Sequence, residues 1–328
     1  MKKQSLNRLL AFFLFIALLS ISLFSGCVQR RLPDDPNTQI RTDVYDGMNR
    51  SYRIFVPDSY NYSEPNGLVF VLHGGSGQGV NMENGLTRQG MNAIGELFNF
   101  VIVYPDGINE RWNDGRFIVG ANESLYGTDD VGFLLSLIDK LSDEFEIQPG
   151  GVFFTGISNG GFMSFRMGFE YPEKICAIAP VTATNAVDIL NNFSAKGPIS
   201  VLMMCGTQDP LVPYEGGWIH IFNRTRSLIT SVNDTVDFWV EQNGCNSSAE
   251  IVELPDEDPD DETRVVVERY LDGCNGTVVV LYSILGGGHT WPGGLQYYPE
   301  WLIGRTCRDI DANTVIGQFF NEQRQRII

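Results

Sequence analysis

The sequence predicts an α/β fold in a single domain, with a mostly parallel central sheet flanked by helices, and three observations carry that prediction. From Leu68 onward, uninterrupted apolar runs alternate with runs of helical character, as the buried strands of a parallel sheet require. The run Val152-Phe153-Phe154-Thr155 passes through Gly156-Ile157-Ser158-Asn159-Gly160 into a helical stretch, so a strand, a tight turn and a helix follow one another. Over 328 residues the chain is 43% hydrophobic and 19% charged, a composition suited to a substantial core rather than to disorder.

The elements follow in order. Lys2, Lys3 and Arg8 precede an apolar run from Leu9 to Phe24, and Ser25-Gly26 then lead to Cys27. This pattern is expected to be a signal peptide over residues 1–26. Its apolar run is shorter than the ~20 residues a spanning helix needs. The site around Cys27 resembles a lipoprotein lipobox, with Phe24 where such motifs carry Leu, Val or Ile, so lipidation of Cys27 is expected. Simple cleavage and a retained anchor are the alternatives. All three put the remainder outside the cytoplasm, secreted or held at the outer membrane face. Asn-x-Ser/Thr sequons at Asn49, Asn61, Asn122, Asn192, Asn223, Asn233, Asn246 and Asn275 agree with export. Residues 27–38 read as a tether, and 39–328 as the domain.

Strands are expected at 40–45, 52–56, 68–72, 101–104, 152–155, 175–179, 199–204, 264–270 and 278–284, and helices at 85–98, 129–145, 161–171, 231–242 and 312–325. The first two strands form a hairpin-like pair. The acidic run 256–262 reads as a solvated hairpin tip; its spacing matches no EF-hand loop, and no metal site is expected.

With 23 basic and 40 acidic residues the net charge is −17, which repels phosphate backbones and argues against a nucleic-acid partner. Cys245 and Cys274 flank a strand-rich stretch and are the disulfide candidates. Cys176 and Cys205 fall near opposite ends of two parallel strands, farther apart than the ~6 Å a disulfide spans, and are expected to be free thiols unless one pairs with Cys307.

In an open α/β sheet, functional residues gather at the carboxyl ends of strands. Ser158 lies there, in a turn whose flanking positions must be small, so its hydroxyl stands above the sheet as a candidate nucleophile. A serine nucleophile needs a base, and the chain has 3 histidines. His289 follows a strand in a glycine-rich loop, Gly286-Gly287-Gly288-His289, that lets an imidazole approach a serine, and is the expected base. His220 reads as structural or surface, and His73 as orienting its loop. Asp209, just past the 199–204 strand, is expected to hold His289; Asp106, Asp129 and Asp130 precede the serine, against the order Ser158, Asp209, His289. The oxyanion of an acyl-transfer intermediate needs N–H donors, expected from Asn159 and from Gly75 or Gly74 in the loop His73-Gly74-Gly75-Ser76-Gly77. That loop lacks the Gly-Lys-Ser/Thr ending of a phosphate-binding loop.

The ordered motifs Leu72-His73-Gly74-Gly75-Ser76-Gly77, Tyr104-Pro105-Asp106-Gly107, Trp112-Asn113-Asp114-Gly115-Arg116, Asp129-Asp130-Val131-Gly132-Phe133, Gly156-Ile157-Ser158-Asn159-Gly160-Gly161, Gly206-Thr207-Gln208-Asp209-Pro210-Leu211-Val212-Pro213-Tyr214 and Gly288-His289-Thr290-Trp291-Pro292-Gly293 resemble the polyhydroxybutyrate depolymerase and feruloyl esterase family, related to the carbohydrate esterases. The likeness runs from about Tyr52 to Phe320. It implies an α/β-hydrolase fold, a serine ester hydrolase using the residues above, no cofactor, and a Cys245–Cys274 bridge. Members of the family divide between polyesters and hydroxycinnamoyl or acetyl sugar esters. Trp291, Trp112, Tyr214 and Trp218 are candidates to line a substrate cleft, with core packing as the alternative. The chain shows no separate polymer-binding module, which favours soluble esters or oligomers. The rival functions are an acyltransferase or serine peptidase of the same fold, and a ligand-binding protein without catalysis.

Overall fold

The computed structural model describes residues 31–64, 66–117, 127–221 and 224–326. The expected signal peptide, Cys27 with its lipidation, and the sequons at Asn122 and Asn223 lie outside the described residues.

The strands are β1 (Thr38–Tyr45), β2 (Met48–Phe55), β3 (Gly67–Leu72), β4 (Phe100–Pro105), β5 (Val152–Ile157), β6 (Ala177–Val181), β7 (Ser200–Gly206), β8 (Gly217–Ile221), β9 (Arg224–Ile229), β10 (Glu250–Glu253), β11 (Arg264–Tyr270) and β12 (Val279–Leu285). Ten form one sheet in the order β1-β2-β4-β3-β5-β6-β7-β12-β11-β10. The central six, β4 to β12, run parallel, and the flanking pairs on each side are antiparallel. Every residue of β3, β4, β5, β6 and β7 is buried, which explains their unbroken apolar character.

Helices cover both faces: α1 (Gly90–Phe98), α2 (Asp130–Glu144), α3 (Asn159–Glu170), α4 (Val187–Asn192), α5 (Val232–Asn243), α6 (Glu300–Ile303) and α7 (Ala312–Gln325). Two hydrophobic clusters result. One holds Phe70, Phe133, Phe154, Phe165 and Trp239, and the other Phe100, Phe153, Trp291 and Phe320. Asp129, Ser231 and Asp311 cap α2, α5 and α7 by accepting first-turn amides.

Several expectations change. The helix expected over 85–98 is divided: Met82–Leu86 is a π-helical turn, Arg88 and Gln89 take positive φ, and α1 begins at Gly90. The wide turn carries Glu83, fully buried, whose carboxylate accepts from Arg53 and Asn92. A buried carboxylate needs such partners. The acidic run does join β10 to β11, but it is pinned. Asp256 pairs with Arg264, Asp309 accepts the amides of Glu257 and Asp258, and Asp261 accepts those of Thr263 and Arg308. The β8–β9 hairpin and the edge strand β10 were not among the expected elements.

The tether expected over 27–38 is, from Leu32, part of the compact unit Leu32–Ile328. The Leu32 amide donates to Asn84 O, and Gln89 donates to Pro33 O. Asp34 accepts from Arg53 and Asn84, and Asp35 from Asn92. A chain cut back to begin at Thr38 is therefore expected to lose about 1–3 kcal/mol against one beginning at Leu32, from the hydrogen bonds forfeited. Urea unfolding of the two checks this, and equal stabilities would contradict the docking.

Candidate active site

Ser158 follows β5 and caps the start of α3 at φ 54°, ψ −120°, a region an L-residue enters only when its surroundings enforce it. Those surroundings are visible. The Ser158 amide donates to Val181 O (2.9 Å) and Thr182 Oγ1 (3.2 Å) at the end of β6. A Cβ on Gly156 would stand 2.6 Å from Leu72 O, and one on Gly160 would stand 2.3 Å from the same oxygen and 2.6 Å from His73 O. Backbone oxygens of β3 occupy the space a side chain would need, so the turn closes only with glycine at both positions. Ser158 itself is half-buried, and Asn159 lies in the first turn of a helix of 12 residues, where free N–H groups and the helix dipole favour negative charge.

The loop after β3 lies against this turn. A Cβ on Gly74 would sit 3.5 Å from Ser158 Cβ, and one on Gly75 would sit 4.0 Å from Asn159 Cβ. The two expected oxyanion loops, 73–77 and 158–159, are therefore neighbours.

Asp209 follows β7 and His289 follows β12, and both are buried. His289 Nδ1 donates to Asp209 Oδ2 at 2.7 Å. The other carboxylate oxygen, Oδ1, accepts the amides of Leu211 and Val212, each at 2.8 Å, so the ionised form is satisfied on both sides. With Nδ1 protonated, the lone pair lies on Nε2, the tautomer a general base requires. The histidine backbone is held too: its amide donates to Ile303 O, and its carbonyl accepts from Tyr297 OH at 2.7 Å.

The other histidines differ. His73 Nε2 accepts the Gly107 amide at 2.9 Å and its Nδ1 donates to Gly74 O at 2.7 Å, so both nitrogens serve the loop and neither is left for proton transfer. Burial holds its pKa below the ordinary histidine value. His220 is exposed on β8. The rival carboxylates have structural partners: Asp106 accepts from Ser51 and the Gly79 amide, Asp130 pairs with buried Arg50, and Asp129 caps α2.

Of the aromatic candidates, two, Trp291 and Trp112, are withdrawn from any cleft by burial. Trp291 is 0% exposed and donates to Asn313. Trp112 is buried, donates to His73 O and packs on the His73 ring. Half-buried Tyr214 is hydrogen-bonded to Ser283 of β12 at 2.7 Å. Trp218, 47% exposed on β8, is the accessible one. Cys245 and Cys274 are separate thiols here and lie close together: burial, and with it the neighbouring Cys274, raises the Cys245 pKa. Cys176, Cys205 and Cys307 are also free. Among the described residues, Asp261, Cys307 and Asp309 bring donor atoms within 4.8 Å of one another, although both carboxylates already accept backbone amides. The strap 111–117 binds the Asn159 side chain through Trp112 and Asp114, a role for Asp114 that the sequence does not announce although the run Trp112-Asn113-Asp114-Gly115-Arg116 marks the segment.

No protein-family model matches the chain. It is 29% identical over 297 residues to NocK of Nocardia uniformis subsp. tsuyamanensis, a protein provisionally named an esterase, covering 88% of this chain and 84% of that one. It is 27% identical over 273 residues to feruloyl esterase D of Neurospora crassa, covering 81% of each. A solved arylesterase structure aligns over 95% of this chain and 97% of its own with a TM-score of 0.51 at 13% identity, a likeness of fold.

Two outcomes follow from the geometry. Gly160→Ala should fail to accumulate folded protein or lose at least about 3 kcal/mol, since the clash is with backbone, whereas Gly75→Ala should melt within ~2 °C of wild type. Thermal denaturation of both tests this, and a stable Gly160→Ala variant would contradict the close approach. The fold favours neutral His73, so its share of stability is present above pH ~6.5 and lost as pH falls below that value. His73→Gln should therefore show a flatter dependence of stability on pH between about 6.5 and 5; parallel curves would contradict the assignment.

Proposed function

We propose that this carboxylic ester hydrolase of the α/β-hydrolase fold works through an acyl-enzyme on Ser158. The observation that carries the reading is the buried His289–Asp209 hydrogen bond of 2.7 Å, which leaves Nε2 as the basic nitrogen. Ser158 Oγ attacks the ester carbonyl carbon while His289 Nε2 takes the hydroxyl proton. The carbonyl oxygen becomes an oxyanion and accepts the amides of Asn159 and Gly75, with Gly74 packing the loop against the serine. Asp209 stabilises the imidazolium. Collapse expels the alcohol, which receives the proton from His289. Water then attacks the acyl carbon while His289 takes its proton; the bond to Ser158 Oγ breaks, the acid leaves and His289 returns the proton to the serine. No step calls on a metal or organic cofactor.

Hydroxycinnamoyl or acetyl esters of sugars are the proposed substrates. The similarity to a protein named feruloyl esterase supports this class, and exposed Trp218 is the proposed aromatic contact. Hydroxyalkanoate oligomers are the second class to test. The N-terminal pattern supports a location outside the cytoplasm, with Cys27 lipidated. In that oxidising setting Cys245 and Cys274 are proposed to join.

The test is hydrolysis of p-nitrophenyl acetate and butyrate, methyl ferulate, acetylated xylan and a hydroxybutyrate oligomer by wild type and by Ser158→Ala. The serine replacement should lower kcat by about 10⁴-fold or more, with the fold intact by circular dichroism. The best substrate identifies the ester class. A folded wild type without turnover on any ester, or a variant that retains it, would overturn the reading. Product appearing on an acceptor sugar rather than as free acid would make the enzyme a transferase.

A further inference from the structure

The segment after β4 makes a set of contacts that the mechanism above does not use. Past a short turn at Ile108–Glu110, residues 111–117 run as an irregular strap along one face of α3. Its Trp112 amide donates to Asn159 Oδ1 at 2.8 Å, and Asn159 Nδ2 donates back to Trp112 O at 3.0 Å and to Asp114 Oδ2 at 2.6 Å. Both donor hydrogens of the Asn159 amide group and its oxygen are thus committed. Asp114 in turn accepts from Arg116 Nε (3.0 Å), Nη2 (2.6 Å) and its amide (3.1 Å). The Arg116 guanidinium lies 3.6 Å over the Phe162 ring, and Arg166 donates to Asn113 O at 2.7 Å. Asn159, Phe162 and Arg166 are spaced three and four residues apart, one face of the helix.

Asn159 is the residue after the nucleophile, and its backbone amide is the proposed oxyanion donor. Here the side chain is buried and bonded at every polar atom, and its shortest bond goes to a carboxylate. A charged acceptor makes a shorter and stronger bond than a neutral one. A buried carboxylate near the oxyanion would oppose it, but Arg116 offsets that charge locally. Buried ion pairs are weak evidence for stability as such.

We propose that Asp114 is a positioning residue: through the Asn159 side chain it fixes the direction of the Asn159 amide toward the oxyanion, with Arg116 neutralising its charge. The inference rests on the reading of Ser158 as nucleophile.

The experiment compares wild type, Asp114→Asn, Asp114→Ala, Asn159→Ala and the Asp114→Ala/Asn159→Ala pair on p-nitrophenyl acetate. Each rate is normalised to active sites counted with a fluorophosphonate. Asp114→Ala should lower kcat per counted site about 10–100-fold, part of the loss expected for removing a whole oxyanion donor, with KM within about twofold. Inhibition by an arylboronic acid, whose tetrahedral adduct needs the same donors, should weaken in parallel with kcat. Asp114→Asn, which keeps an acceptor oxygen toward Asn159, should recover part of the loss. The double variant should be no worse than the poorer single one, because both act through one contact. Fewer countable sites at an unchanged rate per site would mean a structural role only and would overturn the proposal. So would a KM effect alone, or additive losses. If Asp114→Ala does not fold, the isosteric Asp114→Asn carries the comparison: normal kcat per site and normal boronate affinity overturn the proposal. A wild type that the fluorophosphonate does not label, or a label retained in Ser158→Ala, removes the premise and the inference with it. A labelled wild type with unaltered Asp114 variants overturns the inference alone.

Discussion

The backbone of Ser158, held at φ 54°, ψ −120°, is the constraint from which the rest of the site follows. A residue so placed costs on the order of 1–3 kcal/mol, and that strain persists only where neighbours over-determine it. The neighbours are the end of β6, which receives the serine amide, and the carbonyls of Leu72 and His73, which leave no room for a side chain at Gly156 or Gly160. Because β3 and β5 pair directly, the loop leaving β3 must pass over the serine, bringing Gly74 and Gly75 beside Ser158 and Asn159. One tight turn thereby sets the half-buried serine, a helix N-terminus and a second source of amides in a single place.

Two buried histidines show how hydrogen bonding divides labour among like side chains. His289 donates from Nδ1 to a carboxylate and keeps Nε2 basic. His73 has both nitrogens bound to backbone and holds its loop. The same side chain is tied to a carboxylate in one environment and to two backbone groups in the other. Trp112 links the two regions, since it packs on His73 and clasps Asn159. The loop 73–77 and the turn at Ser158 and Asn159 therefore share one support.

The parallel strands were legible because burial on both faces forces continuous apolar runs, and the ends of α7 matched because Asp311 caps its start. The edge strand at the other side of the sheet from β1 was not legible. Strand β10, Glu250–Glu253, is exposed along its whole length and pairs on one side only, so no apolar pattern announces it. The π-helical turn at Met82–Leu86 depends on Glu83 meeting Arg53, 30 positions away, and local propensity carries no trace of that bond. In the site, strand ends and chain order single out Ser158, Asp209 and His289, and the structure joins the last two by a hydrogen bond. The aromatic candidates could not be sorted: Trp291 and Trp218 look alike in sequence, and only packing shows one buried and the other open. The strap fared likewise, since the Asp114–Asn159 bond joins positions 45 apart.

The proposed mechanism requires a covalent bond to Ser158. Its most direct measurement is peptide mapping by mass spectrometry of the folded enzyme after reaction with a fluorophosphonate. The account predicts one adduct, on the peptide carrying Ser158, with none on any peptide of the Ser158→Ala protein. An adduct on another residue, or no adduct on a well-folded wild type, would contradict it.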